Sequence, residues 1–176
     1  MFSSEERTLL RQHATAAIAA EFGQGGPLPP DAPPALRKPA GAFVSLHLRG
    51  ELRGCIGTFE ARTPLIDTVR AMAVQAAFHD PRFEPLDERE FPSIELELSV
   101  LSPRRQVTST EDIEVGRHGL WISRHGRGGV LLPQVAVEHG WNRLTFLQET
   151  CRKAGLPREA WKDPDTVIEV FEAEVF

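Results

Sequence analysis

The sequence predicts an α+β fold, with a mainly antiparallel sheet flanked by helices. Two pairs of short apolar segments flank glycine-containing turns, a pattern typical of β-hairpins. Residues 93–101 alternate strictly between apolar and polar side chains, as in an antiparallel strand with one solvated face. Other segments carry apolar residues at helical spacing, but strands and helices do not alternate regularly. This order favours α+β over a parallel α/β fold.

The helices are predicted from capping residues and apolar stripes. Residues 3–6, Ser-Ser-Glu-Glu, mark the start of a first helix that runs to Phe22, because hydroxyls cap helix N-termini and acids stabilise them. Pro64 opens a second helix, which ends before Asp80-Pro81 because the residue ahead of a proline avoids the helical region. Two further helices are predicted over residues 133–139 and 143–154.

The first hairpin is predicted between residues 43–49 and 52–58. Gly50 at the first central position of a two-residue loop suits a type II′ turn. That turn pairs Leu46 with Cys55, so Cys55 shares a face with the valine and leucines of the first strand. One extra loop residue would move Cys55 to the opposite face.

The remaining elements follow from turn residues and alternation. Residues 119–123 and 130–132 flank a glycine-rich turn and are predicted as a second hairpin, and residues 166–176 as a last strand. Residues 23–40 contain six prolines and are predicted as an irregular Pro/Gly-rich crossing loop.

Composition limits the class of protein. The chain has 176 residues and a net charge of −5, with no run of five like charges, which argues against a nucleic-acid or anionic-membrane surface. Its two cysteines, Cys55 and Cys151, lie far apart, which favours reduced thiols in a cytoplasmic protein over a disulfide. The charged N-terminus and the lack of a long apolar run predict neither a signal peptide nor a membrane helix.

Cys55 is the candidate nucleophile. It lies between Gly54 and Gly57, two residues after Arg53, and a nearby cation such as Arg53 favours the thiolate form of a cysteine. The two glycines are structural residues of the motif, because they let the backbone approach a neighbour closely. A packing role for Cys55 stays open, since free cysteines are among the most buried residues.

Asp80 and Arg82 are the candidate ligand-binding residues, next to His79 at the end of the second helix. The planar guanidinium of Arg82 is suited to binding a carboxylate or a phosphate. The alternative is structural: Asp80 begins an Asx turn, and Arg82 pairs with a neighbouring acid.

No metal and no cofactor are predicted. His118, His125 and His139 lack the spacing of metal ligands. The basic, glycine-rich turn of residues 124–129 lacks the lysine and the strand–loop–helix context of a P-loop. Glu95 and Glu97 lie on the polar face of their strand, either as an acid pair or as a solvated surface.

Several motifs together resemble the AMMECR-type domain, whose prokaryotic members are called AmmeMemoRadiSam system protein A. They are Arg-Gly-Cys-Ile-Gly at 53–57, Asp-Pro-Arg-Phe at 80–83, and the segments 98–103, 116–120, 131–136 and 140–141. The resemblance covers residues 5–174. It implies a single domain over residues 1–176, made of a larger and a smaller intertwined lobe. It also implies association with a Memo-like protein and a radical S-adenosylmethionine protein.

Three functions stay open. The first is a component of a modification system that binds a Memo-like or radical-enzyme partner, or presents a substrate to it. The second is an enzyme that uses Cys55 in an inter-lobe cleft, with Arg53 to steady the thiolate and Arg82 to orient an anionic substrate. The third is a nucleic-acid-associated factor, which the acidic balance disfavours. Exposed hairpins are compatible with a homodimer.

Overall fold

The computed structural model describes residues 1–26 and 32–176, which form two compact units. Unit 1 comprises Met1–Leu101 with Glu174–Phe176, and unit 2 comprises Ser102–Ala173. All strand pairings within each unit are antiparallel among the described residues. Helices and antiparallel strands follow one another irregularly along the chain, so the predicted α+β class is confirmed.

The described residues contain four α-helices, seven strands and four short 3₁₀-helices. The α-helices are α1 Ser4–Glu21, α2 Leu65–Phe78, α3 Pro133–Glu138 and α4 Arg143–Lys153. The strands are β1 Ala42–Leu48, β2 Glu51–Thr58, β3 Ile94–Leu101, β4 Arg105–Gln106, β5 His118–Arg124, β6 Arg127–Leu131 and β7 Val167–Val175. The 3₁₀-helices are Pro34–Arg37, Phe91–Ser93, Thr110–Asp112 and Ala160–Lys162.

Both helices of unit 1 lie where the sequence predicts them, except that α1 ends at Glu21 instead of Phe22 and α2 begins at Leu65, with Pro64 as its N-cap. The Ser3 hydroxyl accepts the Glu6 N–H, and the Glu6 carboxylate accepts the Ser3 N–H, which forms a complete capping box for α1. The second helix ends at Phe78, directly before His79 and Asp80. Helix α2 packs on β1 and β2, and α1 packs on α2.

The core of unit 1 lies between this helical layer and one face of the sheet. Strand β1 pairs with β2 on one side and with β3 on the other. Its Val44 and Leu46 are fully buried, as is Leu98 of β3. The opposite face of β1 carries Ser45 and His47, which are only partly buried. Burial therefore follows the two-residue period of the strand.

The predicted register of the first hairpin is wrong. The two-residue loop is Arg49-Gly50, both with positive φ (55° and 84°), so Leu48 rather than Arg49 is the last paired residue of β1. Two positive φ values are the requirement of a type I′ turn, not of the predicted type II′. A bulge then leaves Arg53 without a partner. Cys55 consequently pairs with Ser45 instead of Leu46.

Unit 2 is a second antiparallel assembly. Strand β5 pairs with β6 and β7, and β7 also pairs with β4. Helix α4 packs on β5 and β6, and its Phe146 and Cys151 are fully buried with Leu120 and Ile122 of β5. The predicted hairpin, the two helices and the last strand are confirmed in this part of the chain, whereas β4 is an element that the sequence does not predict.

The predicted crossing loop and the predicted division into two lobes both stay predictions. The crossing loop predicted over residues 23–40 includes 27–31, which lie outside the described residues, and Pro34–Arg37 within it form a 3₁₀-helix. The division into a larger and a smaller intertwined lobe remains a prediction. In the described part of the chain, no helix combines the length and apolar character needed to cross a membrane.

Candidate functional site

The candidate site is built around Cys55 on β2, the edge strand of unit 1. Because Cys55 pairs with Ser45, its side chain shares the polar face of the sheet and not the face that packs on α2. The Ser45 hydroxyl donates a hydrogen bond to the Cys55 Sγ at 3.2 Å. Cys55 is partly exposed, in contrast to Cys151, which is fully buried.

Asp80 and Arg82 cover the free edge of β2 at Cys55. The Cys55 N–H donates to Asp80 Oδ2 at 2.9 Å, and Arg82 Nη2 donates to the Cys55 carbonyl at 3.1 Å. An edge strand exposes unpaired backbone groups, and here the two side chains replace the missing strand. The predicted nucleophile and the predicted ligand-binding residues therefore form one cluster.

Asp80 and Arg82 are also a bidentate ion pair. Arg82 Nε donates to Asp80 Oδ1 at 3.0 Å, and Arg82 Nη2 donates to Asp80 Oδ2 at 2.8 Å. The Arg82 N–H donates to Oδ1 as well, at 3.1 Å, which closes an Asx turn. The Asp80 side chain is 1% exposed and that of Arg82 is 57% exposed, so the carboxylate is anchored inside while the guanidinium reaches solvent.

The electrostatics of the pair follow from these contacts. The hydrogen bonds from the Arg82 side chain, followed by the backbone N–H groups of Cys55 and Arg82, hold the pKa of Asp80 well below its usual range, although burial opposes this effect. Asp80 is in turn the main cause of the raised pKa of Arg82, and the Cys55 side chain contributes to it too. The guanidinium of Arg82 is therefore a cation beside Cys55, whose carbonyl it binds.

Arg53 makes different contacts from those the sequence suggests. Its guanidinium donates to the Glu84 carbonyl at 2.8 Å and to the Pro85 carbonyl at 3.2 Å, and it forms an ion pair with Glu90 at 2.9 Å. The side chain of Arg53 is 16% exposed. These bonds tie the segment that follows Arg82 to β2. A role for Arg53 in steadying the Cys55 thiolate stays a prediction.

Gly54 allows β2 to approach α2. A Cβ atom at this position would lie 2.2 Å from the Ala76 carbonyl oxygen, so no other residue fits without a backbone shift. Gly57 lies on the same face as Cys55, where it faces Phe43. The Phe43 ring packs edge-on against Phe59 at a centroid distance of 4.8 Å. Gly54 thus fixes the position of the strand, and an aromatic pair borders its polar face.

The polar face continues onto β3. Ser45 pairs with Glu97 and His47 pairs with Glu95, and both glutamates are exposed. Ser45 is the residue that the sequence analysis misses, because the predicted register placed it on the face opposite Cys55. Neither Arg49 at positive φ nor the bulge at Arg53 has a clear sequence signal. Among the described residues, no three His, Cys, Asp or Glu side chains are arranged to hold a metal ion.

Comparison with known proteins gives consistent results. A family model described as AMMECR1 matches residues 11–176. A protein of Methanopyrus kandleri is 42% identical over an alignment of 183 positions, which covers 98% of this chain and 88% of that protein. A protein of Methanothermobacter thermautotrophicus is 45% identical over 155 residues, which cover 85% of this chain and 81% of that protein. The crystal structure of the uncharacterized protein PH0010 from Pyrococcus horikoshii matches with a TM-score of 0.80 at 37% identity, covering 96% of this chain and 88% of that one.

Proposed function

Because the chain belongs to the AMMECR1 family, we propose that it is a component of a modification system with Memo-like and radical S-adenosylmethionine proteins, and that Cys55 is its reactive group. The partners are inferred from the resemblance of the motifs at 53–57 and 80–83 to the AmmeMemoRadiSam proteins. The role of Cys55 is inferred from geometry. The single observation that carries it is that the Ser45 hydroxyl donates to a partly exposed thiol, and that the Arg82 guanidinium binds the backbone carbonyl of the same cysteine.

The contacts of the thiol suit a nucleophile. The Ser45 hydroxyl donates a hydrogen bond to the sulfur, and the Arg82 guanidinium donates to the carbonyl of the same residue. The thiol is partly exposed, so a small electrophile can reach it. The structural alternative, a cysteine packed among leucines, required pairing with Leu46, and Cys55 pairs with Ser45 instead.

The proposed chemistry is a substitution at an electrophilic carbon of an acyl group. The thiol proton passes to solvent, and the Cys55 sulfur forms the new S–C bond. The bond from that carbon to its leaving group breaks, and the leaving group takes the electron pair. The product is a thioester on Cys55, from which a partner protein receives the acyl group. Asp80 holds Arg82 in place and is a positioning residue.

Arg82 also suits the recognition of an anionic substrate. Its Nε and Nη2 are engaged by Asp80 and by the Cys55 carbonyl, while its Nη1 makes no hydrogen bond with the described residues. Because more than half of the side chain is exposed, Nη1 can donate to a carboxylate or phosphate near the thiol. The proposed substrates are therefore acyl compounds that carry a negative group.

Alkylation rates test this proposal. In the folded full chain, we measure the rate at which Cys55 reacts with anionic iodoacetate, divided by its rate with neutral iodoacetamide. We expect this ratio to be several-fold higher than the same ratio for free cysteine, because Arg82 attracts the anion. Arg82→Gln should abolish the increase, whereas Arg62→Gln, which removes an exposed cation paired with Glu60, should preserve it. Peptide mapping separates Cys55 from Cys151, whose burial raises its pKa. Labelling of Cys55 only in denaturant, or a ratio unaffected by Arg82→Gln, would contradict the proposal.

Co-purification tests the partners. When this chain is expressed with a Memo-like protein and a radical S-adenosylmethionine protein from one genome, we expect affinity capture of the chain to retain at least one of them. A Cys55→Ser variant should fold and should retain the partner too, because the proposed role of the thiol is chemical. Capture of neither partner would overturn the assignment to the system and would leave the alkylation result unaffected.

A further inference from the structure

Unit 2 contains a cavity that has no part in the site around Cys55. Its volume is about 480 Å³, and it is lined by residues from three segments, 102–105, 111–118 and 170–172. Val170 and Phe171 contribute apolar surface and are themselves 2% exposed. The remaining lining is mostly charged. The volume is large enough for a small molecule, and charged groups of both signs line it.

His118 is the buried polar group of this cavity. The residue is 5% exposed, and its Nδ1 accepts the Glu114 N–H at 3.1 Å. That hydrogen bond fixes the tautomer of the neutral ring, so the proton is on Nε2. Nε2 makes no hydrogen bond with the described residues, and His118 is one of the residues that line the cavity. The ring therefore contributes an unused N–H donor to this part of the chain.

Two of the lining charges are also unpaired within the described residues. Arg105 and Asp112 line the cavity, and neither makes an ion pair or a side-chain hydrogen bond there. The other charges are engaged. Arg117 pairs with Glu114 and Glu172, and Glu111 pairs with Arg143. The hydrogen bond to Glu172 is the main cause of the raised pKa of Arg117. The cavity thus offers one free cation, one free carboxylate and one neutral donor.

We propose that this cavity binds a free amino acid in its zwitterionic form. Arg105 and the His118 Nε2–H bind the carboxylate of the ligand, and Asp112 binds its ammonium group. A simple anion is disfavoured because the lining holds four carboxylates and only two guanidinium groups, and a simple cation would leave Arg105 and His118 without an acceptor. This inference is independent of the proposed function, since every residue in it belongs to unit 2.

Binding of amino acids to the ¹⁵N-labelled full chain tests the inference. Each of the twenty standard L-amino acids is titrated, with acetate and methylamine as single-charge probes, while the His118 ring nitrogens and the backbone amides of residues 112–119 are followed by NMR. We expect at least one amino acid to shift these signals at millimolar concentration and to bind at least tenfold more tightly than either single-charge probe. Each half of a zwitterion adds a charge-assisted hydrogen bond, and a single-charge probe lacks one of the two.

Charge-removing variants complete the test. Arg105→Gln and Asp112→Asn should each weaken binding about tenfold, as expected for the loss of one hydrogen bond to a charged group. The matched controls Lys153→Gln and Asp165→Asn remove one charge of the same sign from exposed positions of unit 2 outside the cavity, and they should leave affinity unchanged. The inference is overturned if no amino acid shifts the signals. It is also overturned if acetate binds as tightly as the best amino acid, or if Asp112→Asn has no effect.

Discussion

Replacing Asp80 with asparagine is expected to lower the free energy of unfolding by about 2–3 kcal/mol. Removing one partner of a buried ion pair costs about 3–5 kcal/mol, and the cost is reduced here because Arg82 is largely exposed and can be hydrated. The carboxylate also accepts N–H groups from Cys55 and Arg82, and a neutral amide is a weaker acceptor. Urea unfolding at neutral pH measures the loss.

The effect of Asp80 should depend on pH. Its pKa is lowered in the folded protein, so the ionised group contributes stability that is fully present above the unfolded pKa of about 3.9 and is lost as the pH falls towards the folded value. The difference in stability between wild type and Asp80→Asn should therefore be constant near neutrality and should shrink below about pH 4. Parallel curves down to pH 2 would contradict the proposed stabilisation of the carboxylate.

Asp87→Asn is the matched control for this experiment. Asp87 and Arg89 repeat the Asp-x-Arg spacing of Asp80 and Arg82, and Arg89 also makes two side-chain bonds to its aspartate. The Arg89 side chain and N–H likewise lower the pKa of Asp87, to about 2. One difference is burial, because the Asp87 side chain is 47% exposed. We expect a much smaller loss of stability for Asp87→Asn.

The contrast between the Asp80–Arg82 pair and the Asp87–Arg89 pair shows which part of the site can be predicted from the sequence. Both Asp-x-Arg motifs predict an Asx turn, and both form one. Only Asp80 also accepts the N–H of a residue 25 positions earlier in the chain. That contact depends on the packing of α2 against β2, and no local pattern reports it. The turn is predictable, and its attachment to Cys55 is not.

The hairpin separates predictable from unpredictable features in the same way. Alternation and Gly50 are sufficient to predict two paired strands, because both are local properties. The register depends on a positive φ at Arg49, where glycine or asparagine would be usual, and on the bulge at Arg53. The bulged Arg53 binds carbonyls and a carboxylate of residues 84–90. The register that pairs Cys55 with Ser45 therefore occurs together with contacts between distant parts of the chain, which a local sequence pattern does not report.

Replacing Gly54 with alanine is expected to lower the free energy of unfolding by about 3 kcal/mol. Overpacking a core costs about 1–3 kcal/mol, and the upper end applies because the obstacle is backbone: the new Cβ would lie 2.2 Å from the Ala76 oxygen and 3.1 Å from its carbonyl carbon. No rotamer change can relieve this contact. The matched control is Gly25→Ala, which meets no atom within 4 Å and should change stability little. Urea unfolding of both variants measures the difference.

The same substitution tests how the position of Cys55 is maintained. If β2 moves away from α2, the Cys55 N–H and carbonyl also move relative to Asp80 and Arg82, which follow the end of α2. Gly54→Ala should therefore reduce the preference of Cys55 for iodoacetate as well as stability, whereas Gly25→Ala should change neither. A Gly54→Ala chain that is destabilised but keeps the full preference would show that Asp80 and Arg82 follow the strand. The cluster, and not the contact between β2 and α2, would then determine the environment of the thiol.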